Sequence, residues 1–152
     1  MIDLKSMTLE ELTAYAETTR GKVCHWFTVD DLMFLKRGGR ISAATAVVGS
    51  MLSIKPVLHV DDEGRLVQVS KTRGRRAALR ALVEKMEQTA LDPGSQTVFI
   101  GHGDCLDDAE WVAGEVRRRF GTPEITIAYT SPIIGAHSGP GTLALFFLAT
   151  GR

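Results

Sequence analysis

The chain has 152 residues, 44% of them hydrophobic and 24% charged, the composition of a globular domain large enough to bury one core without disulfide or metal. Lys+Arg and Asp+Glu both number 18, so no overall charge favours nucleic acid or an anionic membrane. Cys24 and Cys105 lie far apart with no CxxC spacing, "MIDLKSMTLEEL" lacks a leader's apolar core, and no apolar run is long enough for an integral membrane segment. The expectation is a cytoplasmic protein.

In chain order, Thr8 caps "TLEELTAYAETTRGK", Glu11 answers it three residues later, and Leu9, Leu12 and Tyr15 or Ala16 recur at helical spacing until Gly21. "KVCHWFTV" is aromatic and β-branched and predicts a strand. "DDLMFLKRGG" opens on two acids and closes on Lys36, Arg37 and a glycine pair, the charge order of a short helix. Ser42 caps a small-residue helix in "AATAVVGSML". Two strands follow, joined by an acidic, solvent-facing turn at Asp61, Asp62, Glu63 and Gly64. From Arg73 to Ala90 the stripe Leu79, Leu82, Val83, Met86 predicts a helix, stopped by Asp92-Pro93-Gly94. "QTVFIGHG" reads as a buried strand. In "DCLDDAEWVAGEVRRRFG" acids at the start, three arginines at the end and then Gly121 complement a helix dipole. "EITIAYT" and "GTLALFFLAT" predict the last strands, with "SPIIGAHSGPG" as a constrained turn before the second. Strands and helices alternate only in part, so the expected fold is a two-layer α/β domain with a mixed sheet of about six strands.

Few motifs carry chemistry. Gly139-Pro140-Gly141-Thr142-Leu143-Ala144 satisfies the loose GxGxxA pattern but leads into a strand instead of a helix, and no phosphate-binding P-loop occurs. Cys105 near a helix start, with His102 three residues before it, would suit a thiol-dependent hydrolase or transferase. Asp104, Asp107 and Asp108 oppose that reading, because they resist thiolate formation and serve as first-turn acids; His102 with Asp104 and Asp108 makes no recognisable metal spacing. His25 and His59 read as structural strand residues. Arg73, Arg75 and Arg76 stand where positive charge is unfavourable, at a helix start, and call for an anion or for pairing with the turn at Asp61 to Glu63. At the chain's end His137 and Ser138 precede Gly139-Pro140-Gly141. Such a turn lets the backbone approach a ligand and leaves amides free to point at it.

Three stretches, "FTVDDLMFLKRGGRIS", "LSIKPVLHVDDEGRL" and "SPIIGAHSGPGTLALFF", resemble in order and spacing the C-terminal domain of the DegV family of fatty-acid-binding proteins. The resemblance runs from Lys22 to Leu148 and divides the chain into a connecting segment and helix at 1–21 and a lipid-binding domain at 22–152. It implies a protein that catalyses nothing and needs no cofactor. Such a protein holds a long-chain fatty acid between this domain and an N-terminal one, of which no counterpart stands here, and delivers it to a separate fatty-acid kinase whose acyl phosphate feeds bacterial phospholipid synthesis. By that resemblance His137, Ser138 and Gly139 hold the carboxylate, and Arg40 faces the kinase. Ile41, Ala44, Val48 and Leu52 border the acyl chain. A pure interaction domain, with the apolar face forming a homodimer, is the further alternative.

Overall fold

The computed structural model describes residues 6–42 and 53–151. Among these, strands β1 (Val23–Thr28), β2 (Ile54–Val60), β3 (Leu66–Arg73), β4 (Thr97–His102), β5 (Glu124–Tyr129) and β6 (Leu143–Leu148) form a single sheet in the order β3-β2-β1-β6-β4-β5. All neighbours are antiparallel except β4 and β5, which run parallel. The helix between that pair supplies the crossover a parallel connection requires. The mixed α/β sheet is the one expected.

The period of two along each strand assigns the faces. Cys24 and Trp26 of β1, Val98 and Ile100 of β4, and Leu143, Leu145 and Phe147 of β6 point to one side. There they meet the stripes of α3 (Arg75–Thr89) and α4 (Leu106–Phe120), led by Leu79, Leu82, Met86, Val112 and Val116, all fully buried. On the other side Phe27, Leu58 and Ala144 form a smaller cluster with Leu32 and Leu35 of α2 (Leu32–Arg37). The sheet and the α3/α4 layer are thus complete, while much of the second face stays open among the described residues.

Local signals behave as their chemistry requires. α1 (Leu9–Thr19) carries the Thr8/Glu11 capping box and buries no residue; a 3₁₀ turn at Arg20–Lys22 leads into β1. Gly121 ends α4 in the left-handed conformation at φ 65°. The β2–β3 turn closes on Asp61, whose side chain accepts from the Arg65 backbone N–H at 2.8 Å and from its guanidinium at 2.8 Å. Arg65 also reaches Glu63 at 2.8 Å.

Two expectations need correction. "SPIIGAHSGPG" is not a bare turn: Ser131 accepts from the Ile134 amide, Pro132 sits in the first turn, and a seven-residue helix, α5 (Pro132–Ser138), follows. Ser-Pro is a helix-start signal, outweighed in the sequence by the glycines beyond it. Nor does the basic group answer the acidic turn, where Arg65 already pairs with Asp61 and Glu63. Arg75 pairs instead with Asp108 at 2.7 Å and lies 3.6 Å from Asp30, and Arg76 stacks over Trp111 at 4.5 Å. The helix expected in "AATAVVGSML", with Ala44, Val48 and Leu52, lies outside the described residues. No helix among those described is long and apolar enough to cross a membrane.

Candidate functional site

The strand register builds a trough on the open face. Phe27, Ala144, Gly101 and Ala128 lie side by side across β1, β6, β4 and β5. The neighbouring row is His25, Phe146, Phe99 and Thr126, with the His25 and Phe146 rings edge to face at 5.3 Å. The small residues Ala144, Gly101 and Ala128 beside the rings of His25, Phe146 and Phe99 leave a depression. It opens into a cavity of about 1730 Å³ whose wall includes Leu66 and Ile41 on one side and Ile133, Ile134 and His137 of α5 on another. This exceeds the roughly 300–1,000 Å³ of an ordinary small-molecule pocket. Its rim is apolar where water would favour polar groups: Phe99 is 51% exposed, Tyr129 71% and Ile133 73%. A contiguous face of this kind marks a ligand or partner surface. Ile41 packs against the smaller core cluster and lines the cavity.

Two of the three stretches that carry the resemblance, the first and the third, meet at the α5 end. A Cβ on Gly38 would collide with Nδ1 of His137 and lie 3.1 Å from its Cγ. A Cβ on Gly139 would lie 2.6 Å from Cδ2 of Phe34. Arg37 covers the Phe34 ring at 4.5 Å, and Arg40, itself exposed, donates from Nη1 to the Gly38 carbonyl at 2.7 Å. A Cβ on Gly141 would collide with the Asp30 carboxylate, which also binds Lys55 at 2.9 Å.

The glycines therefore make room for side chains and leave no amides free. The Gly139 N–H donates to the Gly135 carbonyl at 2.8 Å and the Gly141 N–H to the Gly103 carbonyl at 2.7 Å, so neither is the free donor anticipated for a ligand. The buried Ser138 hydroxyl is likewise committed, donating to the Ile134 carbonyl at 2.8 Å. His137 is half-buried and lines the cavity at this end.

Cys105 and His102 are close but wrongly disposed for nucleophilic work. His102 is buried, and its Nδ1 accepts the backbone N–H of Cys105 at 3.3 Å instead of facing the thiol. The thiol donates to the Thr142 carbonyl at 3.3 Å. Burial pushes the Cys105 thiol up from its ordinary pKa, against the pull of Arg75, so the neutral form is favoured over the thiolate. Iodoacetamide at pH 8 is expected to alkylate Cys105 several-fold more slowly than free cysteine; equal or faster labelling would revive the nucleophile. Among the described residues no three His, Cys, Asp or Glu side chains gather as a metal site.

Sequence reasoning missed Phe34 and Gly38 as neighbours of the His137 segment, since the contact joins residues about a hundred positions apart. It also missed Phe99, whose outward direction was legible in the alternation of Val98, Phe99 and Ile100.

Comparison with known proteins agrees with this architecture. A DegV domain-containing protein of Clostridium perfringens is 45% identical over 141 residues, covering 93% of this chain and 48% of that protein. A DegV family protein from Thermus thermophilus, solved in a study of its fatty-acid binding, superposes with a TM-score of 0.82 at 29% identity, over 95% of this chain and 52% of that one. The fatty acid kinase B3 protein of Streptococcus pneumoniae, solved with linoleic acid, shares the fold with a TM-score of 0.86 at 18% identity, over 95% of this chain and 51% of that one. The chain thus spans about half the length of the relatives it matches. The family model described as "Uncharacterised protein, DegV family" matches residues 4–150, and with it this chain belongs to the DegV family.

Proposed function

We propose that this chain is the lipid-binding half of a non-catalytic fatty-acid carrier of the cytoplasm, joined through its segment at 1–21 to an N-terminal domain and handing its ligand to a separate fatty-acid kinase. The observation that carries the reading is the open apolar trough with the half-buried imidazole of His137 at its α5 end. That is the division of a fatty acid: a long tail that wants to leave water and a carboxylate that wants a donor. About fifteen methylenes at about 0.8 kcal/mol each give an upper bound of about 12 kcal/mol for the tail, against about 1.5–3 kcal/mol for one charged hydrogen bond. The tail sets affinity and His137 sets where the head lies. Gly139 serves by seating the Phe34 ring, and Ser138 holds the end of α5. Arg40, exposed and anchored beside the head end, is the residue that meets the kinase.

The test is a calorimetric titration of delipidated protein with palmitate and oleate. It is run on the chain alone and on the chain fused to the half of the Clostridium perfringens relative that lies outside the match. Saturable one-to-one binding by the fusion is expected. Arg40→Glu in that fusion should leave the fatty-acid Kd unchanged and slow phosphoryl transfer by the kinase about tenfold or more, the loss of one exposed charge contact at an interface. No binding by either form would overturn the carrier reading, and parallel loss of binding and transfer would overturn the role given to Arg40.

A further inference from the structure

We infer that Gly38 is a positioning residue for His137: its missing side chain is the seat of the imidazole, and the same peptide unit fixes Arg40. The functional weight of this rests on the carrier reading above, but the geometry stands without it.

Gly38 and Gly39 are adjacent yet serve different ends. Gly39 has φ 69°, a left-handed conformation that other residues adopt only at a cost, and nothing lies within 4 Å of where its Cβ would be. Gly38 has φ −74° and ψ −3°, the ordinary right-handed region at the C-cap of α2, where any residue is comfortable. Its backbone gives no reason for glycine. The reason is the neighbour: an added Cβ would collide with Nδ1 of His137 and stand 3.1 Å from its Cγ and 3.3 Å from its Cβ. The contact is reciprocated one turn earlier, where Phe34 of α2 occupies the space a side chain at Gly139 would need. α2 and α5 are therefore keyed to each other at two points, ring into glycine in both directions.

Two consequences follow for the site. With its Nδ1 side laid against Gly38, the imidazole has Nε2 as the nitrogen left to meet a carboxylate in the trough. And because Arg40 Nη1 binds the Gly38 carbonyl at 2.7 Å, a shift of the imidazole is passed to the partner-facing arginine through one peptide unit. Head group and partner contact are set together. Neither glycine need touch the ligand for this.

The test uses the chain without ligand, with ¹³C/¹⁵N-labelled histidine. Gly38→Ala is expected to move the ring Cδ2–H and Cε1–H cross-peaks of His137 well beyond any change at His25, His59 or His102. Gly39→Ala, whose cost is backbone strain alone, should lower the urea midpoint while moving the His137 ring signals less. A double-mutant cycle completes the argument: in a His137→Ala background Gly38→Ala should lose most of its destabilising effect, because the colliding ring is gone. If Gly38→Ala does not fold, rescue of folding by His137→Ala supports the inference and failure of rescue overturns it. Unmoved His137 signals, or equal destabilisation in both backgrounds, overturn it too. Absence of fatty-acid binding with the Gly38–His137 coupling intact would sink only the ligand reading.

Discussion

Replacing Ala128 with glutamate is expected to weaken fatty-acid binding by about a hundredfold or more without unfolding the protein. Ala128 sits on β5 opposite Gly101, exposed, on the trough side of the sheet, while its neighbours Ile125 and Ile127 point into the core under α4. The substitution therefore removes no core contact, and β5 is an edge strand that tolerates a charge well. In the trough the carboxylate must either stay hydrated or be buried against the tail. Keeping it hydrated denies burial to some three or four methylenes, about 3 kcal/mol at about 0.8 kcal/mol each, which is roughly two decades of affinity. Calorimetric titration of the fused, two-domain form gives the Kd, and the urea midpoint of the same preparation checks the fold. Unchanged affinity in a stable Ala128→Glu variant would mean that the tail lies elsewhere.

The second large effect concerns the head. His137→Ala removes the one polar side chain that α5 offers to the cavity with its ring uncommitted to the helix's own backbone, since Ser138 is bonded to Ile134 and the Gly139 amide to Gly135. A charge-assisted hydrogen bond is worth about 1.5–3 kcal/mol, so affinity should fall about ten- to a hundredfold. Because the tail supplies most of the binding energy, the variant should still bind, with the head less well fixed. Its signature is a modest loss of affinity joined to a larger loss of transfer to the kinase. His137→Gln, which keeps a donor, should recover part of both. Affinity and transfer both unaffected in His137→Ala would remove His137 from the site.

The residues of the sheet and of α3 and α4 were legible in advance because their information is local. Alternation in "TVFIGH" and "LALFFL" sets which side chains face the helices, and the stripe from Leu79 to Met86 and the Arg117–Gly121 ending are properties of single segments. The same holds for the Thr8 cap and the Asp61–Arg65 turn, whose partners lie within four residues. The motifs around Gly38 and Gly139 were legible as motifs, and the resemblance they carry is shown by the family match. What they do to each other was not. A glycine read alone suggests a turn or a free amide; only the packing of α2 on α5 shows that Gly38 is small for the sake of an imidazole and that the Phe34 ring fills the space beside Gly139, whose φ of 78° calls for glycine by itself. Likewise Arg75 could have answered several acids, and the choice of Asp108 over the Asp61 turn belongs to the juxtaposition of the α3 and α4 starts. Sequence by itself determined the six strands, the helices α1 to α4 and the family; α5 it left as a turn. Tertiary structure decided which small residue seats which ring and that four strands in register carve a trough, since steric fit between distant segments depends on distances that no local pattern encodes.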